Sequence, residues 1–522
     1  MIQRCLPALW IIVLVAFTAC NNDNAAKEVK IPTLHNLIPK PVMVKAGQGL
    51  FHLTDSTIIT VAPGNPELLR IAGYIASVLK PATGFTLEID SVAKRSNSIS
   101  IGLVNDNSLS GEGYEMKIAE NGIELNAYRP AGIFYGVQTT RQLLPAAIEK
   151  TAVQSGPWAI AVGTIRDYPG YTMRGSMLDV ARHFFGADDV KRYIDFLAYY
   201  KMNTLHLHLS DDQGWRIEIK KWPRLTDYGS TTQVGGGKGG FYTQEQYKEL
   251  VQYAADRFVT IIPEIDMPGH TNAALASYPE LNCNEKDKNP KLYTGIEVGF
   301  STFCTKNEKV YQFIDDVLTE LAAITPGPYL HIGGDESHAT SKEDYIPFEN
   351  RVQVLVKKHN KQVIGWDEIA LSTLQPHTIA QYWADSANSK NAVQQGAKII
   401  MSPANRSYMD MQYDSTSRLG LHWAAYIEVD QAYNWNPAEL VKGIERKDII
   451  GVEAPLWTET IVTMNDIEYM AFPRLPGYAE IAWSPAAGRS WDEYKVRLGN
   501  HAAQMKAMEI DYYPSKLVNW KE

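Results

Sequence analysis

The sequence lacks several features that settle a protein's class at a glance. It has no excess of positive charge: 50 Lys and Arg stand against 59 Asp and Glu, a formal charge of −9, and the isoelectric point is near 5.8. Such a chain has no net attraction for phosphate backbones, which excludes nucleic acid as an expected partner. It has no internal repeat and no low-complexity tract. With 45% hydrophobic, 21% charged and 10% aromatic residues, it is not depleted in apolar side chains as disordered or fibrous chains are. Cysteine is scarce, four in 522 residues. What remains is a globular protein with material for two or three domains.

The N-terminus reads as an address. Arg4 is the only charge before Asp23, and it precedes an apolar run over 6–17 that is too short to span a bilayer as an unaided helix. Phe17-Thr18-Ala19-Cys20, followed by Asn21-Asn22-Asp23-Asn24, resembles a bacterial lipoprotein signal. On that reading residues 1–19 are removed, Cys20 is acylated, 20–34 is a linker, and the protein is exported and held by lipid in the periplasm, outer membrane or cell surface. An ordinary secretion signal with an incidental cysteine is the alternative. Cys5 is then lost, and Cys283 and Cys304 are left either as a disulfide, which an exporting compartment permits, or as two free thiols. Neither cysteine has a metal-site neighbourhood.

Over 35–167 the chain reads as an α+β domain. β-Branched runs at 51–54, 56–61 and 98–103 are bounded by turn residues, 68–79 has helical spacing, and 128–144 reads as a helix docking this domain onto the next. Over 168–522 short apolar strands alternate with helical stretches, the mark of a parallel sheet. Candidate strands are 172–179, 204–209, 259–264, 329–332, 362–366, 378–383, 398–401 and 451–457. Eight strands in this length suit a (β/α)8 TIM barrel, an α/β fold whose strand C-terminal ends carry the chemistry. The polar clusters fall at those ends: Asp179, His208 to Asp212, Glu264 to Asp266, Asp335-Glu336, Trp366-Asp367-Glu368 and Trp457 to Glu459.

The most telling block is His331-Ile332-Gly333-Gly334-Asp335-Glu336, an apolar strand opening through two glycines into adjacent carboxylates. Glycines let backbone approach a ligand closely. Neighbouring carboxylates repel when both ionise, so one pKa is expected to rise, which suits a general acid beside an ionised partner.

That block resembles the signature of family 20 glycoside hydrolases, the β-N-acetylhexosaminidases. Further blocks agree in order: Tyr171-Thr172-Met173-Arg174-Gly175 with Leu178-Asp179 and Ala181-Arg182-His183; His206-Leu207-His208-Leu209-Ser210-Asp211-Asp212-Gln213-Gly214-Trp215-Arg216; Pro263-Glu264-Ile265-Asp266-Met267-Pro268-Gly269-His270; and Gly365-Trp366-Asp367-Glu368. The resemblance runs from about residue 31 to the end. It implies exo-acting, retaining release of a terminal β-linked N-acetylhexosamine from glycans, with the sugar's own 2-acetamido oxygen as nucleophile. Glu336 would be the acid and then the base, and Asp335 would accept from the acetamide N–H. Tyr408, in Tyr408-Met409-Asp410, would hold the acetamide oxygen, and Asp410, Arg174 and Glu459 would grip sugar hydroxyls. Trp366, Trp383 and Trp457 would wall the sugar, and Trp423 would offer a leaving-group platform. Asp211 and His270 would tune Glu336 from behind.

Two other classes compete. A metallohydrolase would use His206-x-His208, whose imidazoles share one face of a strand, with His270 and His331 at hand. The pair is followed by Asp211-Asp212-Gln213-Gly214-Trp215 rather than by a further ligand pattern, so no metal or other cofactor is expected. A glycan-binding lipoprotein without catalysis is opposed by the presence of all the expected catalytic side chains.

Overall fold

A computed structural model describes residues 33–91 and 96–521. The expected lipidation site Cys20, and Cys5, lie outside them.

The first sheet has seven strands: β1 (Met43–Leu53), β2 (Ile58–Val61), β3 (Glu88–Asp90), β4 (Ser98–Leu103), β5 (Tyr114–Ala119), β6 (Gly122–Ala127) and β7 (Trp158–Asp167). Their order is β1-β7-β5-β6-β4-β2-β3, antiparallel on the β1 side and parallel from β6 outward. The helix Pro66–Thr83 begins at Asn65, whose side chain accepts from the Glu67 and Leu68 amides, and ends at Gly84 in the left-handed region. Leu68, Ile71, Ala72, Ile75 and Leu79 recur at helical spacing and are buried. The helix Pro130–Leu143 joins this domain to the next. Phe134 packs tilted against Phe258 at 5.3 Å and Tyr135 edge-on against Trp483 at 5.3 Å.

The second unit is a closed barrel of eight parallel strands, β8 (Met173–Asp179), β9 (Thr204–His208), β10 (Thr260–Glu264), β11 (Tyr329–His331), β12 (Gln362–Trp366), β13 (Ile379–Tyr382), β14 (Lys398–Met401) and β15 (Ile449–Leu456). These are the eight expected strands, each within two residues at either end. Every residue of β8 and β9 is buried, as a parallel sheet covered by helices on one side and filled on the other requires. Met173, Ile262, Ile364, Ile379 and Ile400, one from each of five strands, form a separate apolar plug. Side chains alternate along a strand, so Glu264, two residues past Ile262, points inward above that plug. Each strand delivers its last residues, and the loop after it, to the same end of the barrel.

Candidate active site

At that end a cavity of about 180 Å³ is lined by Arg182, Ile296, Val298, Asp335, Glu336, Trp383, Tyr408, Leu421, Trp423, Trp457 and Glu459. The carboxylate pair follows β11. Gly333 and Gly334 have φ of 67° and 103°, and Glu336 itself has φ of 43°. A Cβ on Gly333 would meet Asp266 Oδ1 at 1.8 Å, so only glycine fits. The Gly334 amide donates to Asp266 Oδ1 (3.0 Å), and Tyr345 donates its hydroxyl to the Gly334 carbonyl (2.8 Å). This pinned turn, with a left-handed non-glycine residue in it, is backbone strain of the kind found at functional sites.

His270, also left-handed at φ 53°, aims Nε2 at both carboxylates, 3.5 Å from Glu336 Oε2 and 3.8 Å from Asp335 Oδ2. Its Nδ1 lies 3.2 Å from Asp211 Oδ1. Burial raises Asp335 above the usual carboxylate range, His270 opposes and the Glu336 charge adds. Burial also acts to raise Glu336, but His270, with Arg182 and His338, outweighs it and leaves Glu336 lowered. One pKa of the pair does rise, yet it is that of Asp335, the more buried of the two, while that of Glu336 falls. That reverses the expected order.

Tyr408 is buried and its ring faces Trp423 (6.0 Å) and Trp457 (6.3 Å). Both Asp410 carboxyl oxygens are buried without a partner, and burial together with the Glu459 charge holds this acid well above its ordinary pKa. Trp383 is braced by its Nε1 donating to Glu368 Oε2 (3.0 Å), and Trp423, 56% exposed, stands edge-on to it at 6.1 Å. Trp366 does not line the cavity: it is buried behind Trp457, 5.8 Å between rings, with Nε1 donating to Glu264 Oε1 (2.9 Å). Asp211 and His270 stand behind Glu336, as expected.

Arg174 is misplaced by the sequence reading. It is the second residue of β8, at the opposite end from the cavity, fully buried and forked onto Glu112 of the first domain at 2.8 and 2.9 Å. The five residues from Arg174 to Asp179 span roughly 16 Å at strand rise, which no arginine side chain crosses. The cavity's guanidinium is Arg182. Asp179 accepts from its amide (3.1 Å), and Asp211 Oδ2 pairs with its NH2 (2.9 Å). Its guanidinium lies over the Trp457 ring at 4.7 Å, and its buried Nε has no partner. The signal was available: Arg182 follows the C-terminal end of a barrel strand, and Arg174 does not. Ile296, Val298 and Leu421 come from long loops without pattern and had no signal.

Cys283 and Cys304 are thiols rather than a disulfide. They are neighbours nonetheless. The Cys304 amide donates to the Leu281 carbonyl (2.8 Å), and burial together with the Cys304 thiol pushes Cys283 up to about 11.

Several histidines and carboxylates lie close enough to share an ion, among them His206, Glu264 and His331. A metal ligand must offer a lone pair. His206 has Nδ1 on Glu453 (3.0 Å) and Nε2 on Glu264 (3.0 Å), and His208 has Nδ1 on Glu264 (2.5 Å) and Nε2 on Asp211 (2.8 Å). Ionised carboxylates only accept, so both nitrogens of His208 are used as donors and it has no lone pair left for an ion, whereas His206 Nε2 lies near Glu264 without a hydrogen bond.

Comparison with known proteins agrees with this geometry. The model of glycosyl hydrolase family 20, catalytic domain, matches residues 171–345 and 337–486, and that of glycosyl hydrolase family 20, domain 2, matches 34–168. A β-N-acetylhexosaminidase of Cellulomonas fimi is 39% identical over 489 residues, covering 93% of this chain and 97% of the relative. A β-hexosaminidase of Porphyromonas gingivalis is 35% identical, covering 96% of this chain and 67% of the relative. The solved GH20 β-N-acetylhexosaminidase of Streptomyces coelicolor A3(2) superposes with a TM-score of 0.91 at 49% identity, covering 94% of this chain and 99% of that one. With both of its domains matched and the paired carboxylates at the barrel mouth, the chain belongs to glycosyl hydrolase family 20 and is a glycoside hydrolase of the β-hexosaminidase type.

Proposed function

We propose that this enzyme is an exo-acting, retaining β-N-acetylhexosaminidase in which the substrate's acetamido oxygen is the nucleophile. The observation that carries the reading is the placement of Asp335 and Glu336: consecutive residues on one pinned turn, sharing His270 Nε2. Two carboxylates so placed suit neighbouring atoms of one sugar, the glycosidic oxygen and the 2-substituent, rather than opposite faces of the anomeric carbon. Glu336 protonates the leaving oxygen as the C1–O bond breaks and the acetamide oxygen bonds to C1; Glu336 then takes a proton from the water that opens the cyclic intermediate. Asp335 accepts from the acetamide N–H, and Tyr408 donates to its oxygen.

The reversed order of the two pKa values in the free site fits this cycle. An acetamide N–H against Asp335 favours its ionised form, and a sugar covering Glu336 removes the solvent that helps keep it ionised. Substrate thereby shifts Asp335 toward its ionised form and Glu336 toward its protonated form. Arg182, in place of Arg174, forks onto vicinal hydroxyls, with Asp410 and Glu459 accepting from others. Trp383 and Trp457 wall the sugar, Trp366 backs Trp457, and Trp423 faces the leaving group.

Hydrolysis of 4-nitrophenyl β-N-acetylglucosaminide, with product configuration followed by proton NMR, tests this. Asp335→Asn is expected to lose about 10² to 10⁴ in kcat on this glycoside, and Glu336→Gln as much on an alkyl glycoside, whose leaving group needs the acid. The 2-hydroxy glucoside should be nearly inert, since it carries no nucleophile; equal turnover of the two glycosides would sink substrate assistance.

We also propose export with acylation of Cys20, supported by the sequence pattern before it. Among the described residues no helix is long and apolar enough to cross a membrane. Cys20→Ala should move the protein from the detergent to the aqueous phase on cloud-point partition; an unchanged partition would remove the anchor.

A further inference from the structure

Behind the catalytic pair lies a row of alternating acids and histidines, hydrogen-bonded from Glu264 through His208 and Asp211 to His270 Nδ1 and in close approach without a hydrogen bond at His206 Nε2 and His270 Nε2. Glu453 Oε1 meets His206 Nδ1 (3.0 Å), and His206 Nε2 meets Glu264 Oε2 (3.0 Å). Glu264 Oε2 meets His208 Nδ1 (2.5 Å), and His208 Nε2 meets Asp211 Oδ2 (2.8 Å). Asp211 Oδ1 meets His270 Nδ1 (3.2 Å), and His270 Nε2 reaches Glu336 Oε2 (3.5 Å). All but Glu336 are at most 1% exposed. Each histidine has both nitrogens facing carboxylates. Since an ionised carboxylate has no proton to give, an imidazole so flanked satisfies both neighbours only as imidazolium.

We propose that Glu264 and His208 are positioning residues for general acid catalysis: Glu264 keeps His208 charged, His208 keeps Asp211 ionised, and Asp211 holds His270 Nδ1–H, so that the only proton His270 can release is the one on Nε2, facing Glu336. The inference rests on the hexosaminidase reading above and deepens it. On substrate binding the proton passes from His270 Nε2 to Glu336 Oε2. Glu336 then gives it to the glycosidic oxygen, which keeps the electron pair of the breaking C1–O bond. Without the lock at Asp211, the His270 proton has two directions to move, and only one of them is productive.

The neighbours of each link support the lock. Glu264 is faced by His206 and His208 from β9, by Trp366 Nε1 (2.9 Å) from β12 and by His331 Nδ1 (3.0 Å) from β11, a nitrogen that accepts from the Gly333 amide, with the Asp266 acid nearby just past the end of β10. Asp211 has Arg182 on the same oxygen as His208, and Asp212 beside it. His270 is faced by Asp211, Asp335 and Glu336, with Asp266 and Asp212 within its field. Burial alone would lower His206 and His208, yet their acids lift them to about 9 and about 10. Glu264 and Asp211 lie well below the usual carboxylate range despite burial.

The test compares two leaving groups. Glu264→Gln must donate as well as accept, so His208 becomes neutral. On an alkyl β-N-acetylglucosaminide, which needs the acid, Glu264→Gln and His208→Gln should each lose about tenfold or more in kcat; on the 2,4-dinitrophenyl glycoside, which does not, the loss should stay within about twofold. An equal loss on both substrates would show a structural role only and overturn the proposal. Histidine-selective ¹⁵N NMR of the wild-type protein at pH 8 provides an independent reading should the variants fail to fold. Imidazolium signals for His206 and His208 are expected, and a neutral His208 refutes the lock. A wild type inactive on both glycosides, with those imidazolium signals present, would instead refute the hexosaminidase reading.

Discussion

Arg174 and Arg182 sit close together in sequence and at opposite ends of the barrel. Arg182 touches the cavity through a guanidinium already half committed to Asp211. Lysine offers a point charge and no planar fork. Arg182→Lys is therefore expected to raise KM by about tenfold or more, the order of one charge-assisted hydrogen bond, with the melting temperature nearly kept. Arg174→Lys should do the opposite, lowering the melting temperature with KM unchanged. Steady-state kinetics and thermal melts of the two variants check this; a KM effect at Arg174 would mean that it reaches the sugar after all. Residue type alone does not separate the two arginines, because either could fork onto hydroxyls. Position along the strand separates them, and that position is readable from the sequence.

At the scale of elements, the barrel is the most legible part of the chain. Its strands are buried on both faces, so they read as continuous apolar runs, and all eight are placed within two residues. The first domain is less legible. Most of β1 is exposed, and its register breaks between Ala46 and Leu50, so only its buried end at 51–54 carries a strand signal. The β5–β6 hairpin escapes the reading: its two turn residues are Glu120-Asn121, with Gly122 already paired to Ala119, and Glu-Asn is not among the usual hairpin turn pairs. The turn after β11 is legible because its chemistry forbids side chains. Gly333→Ala combines a left-handed φ with a Cβ 1.8 Å from Asp266 Oδ1. The turn must move, and with it Asp335 and Glu336, so kcat should fall by at least about 10², as misplacement by an ångström does. Gly488→Ala, where a Cβ meets nothing within 4 Å, should behave as wild type. Equal kcat in the two variants would show that the turn tolerates a side chain.

The two domains are held together as one molecule by charge buried at the closed end of the barrel. Arg174 gives both guanidinium nitrogens to Glu112, Nε to the Lys201 carbonyl (2.9 Å), and lies 5.0 Å over the Trp483 ring. Asn203 and Tyr135 complete the carboxylate's partners at 3.0 and 3.3 Å. Replacing Glu112 by Gln leaves a fully buried guanidinium without its counter-charge, a change that costs about 3–5 kcal/mol in comparable buried pairs. Burial acts to raise Glu112, but Arg174 outweighs it and the folded pKa lies below the ordinary 4.5. A carboxylate with a depressed folded pKa contributes stability that is complete above its unfolded pKa and disappears as pH falls through the folded one. The wild type should therefore lose stability faster than Glu112→Gln as pH drops below about 4.5, and the gap between their urea midpoints should narrow there. Both proteins should hydrolyse substrate with the same KM at neutral pH, because the pair lies at the far end of the barrel from Glu336. A constant gap between the midpoints across that pH range would mean that Glu112 joins the domains by shape and not by charge.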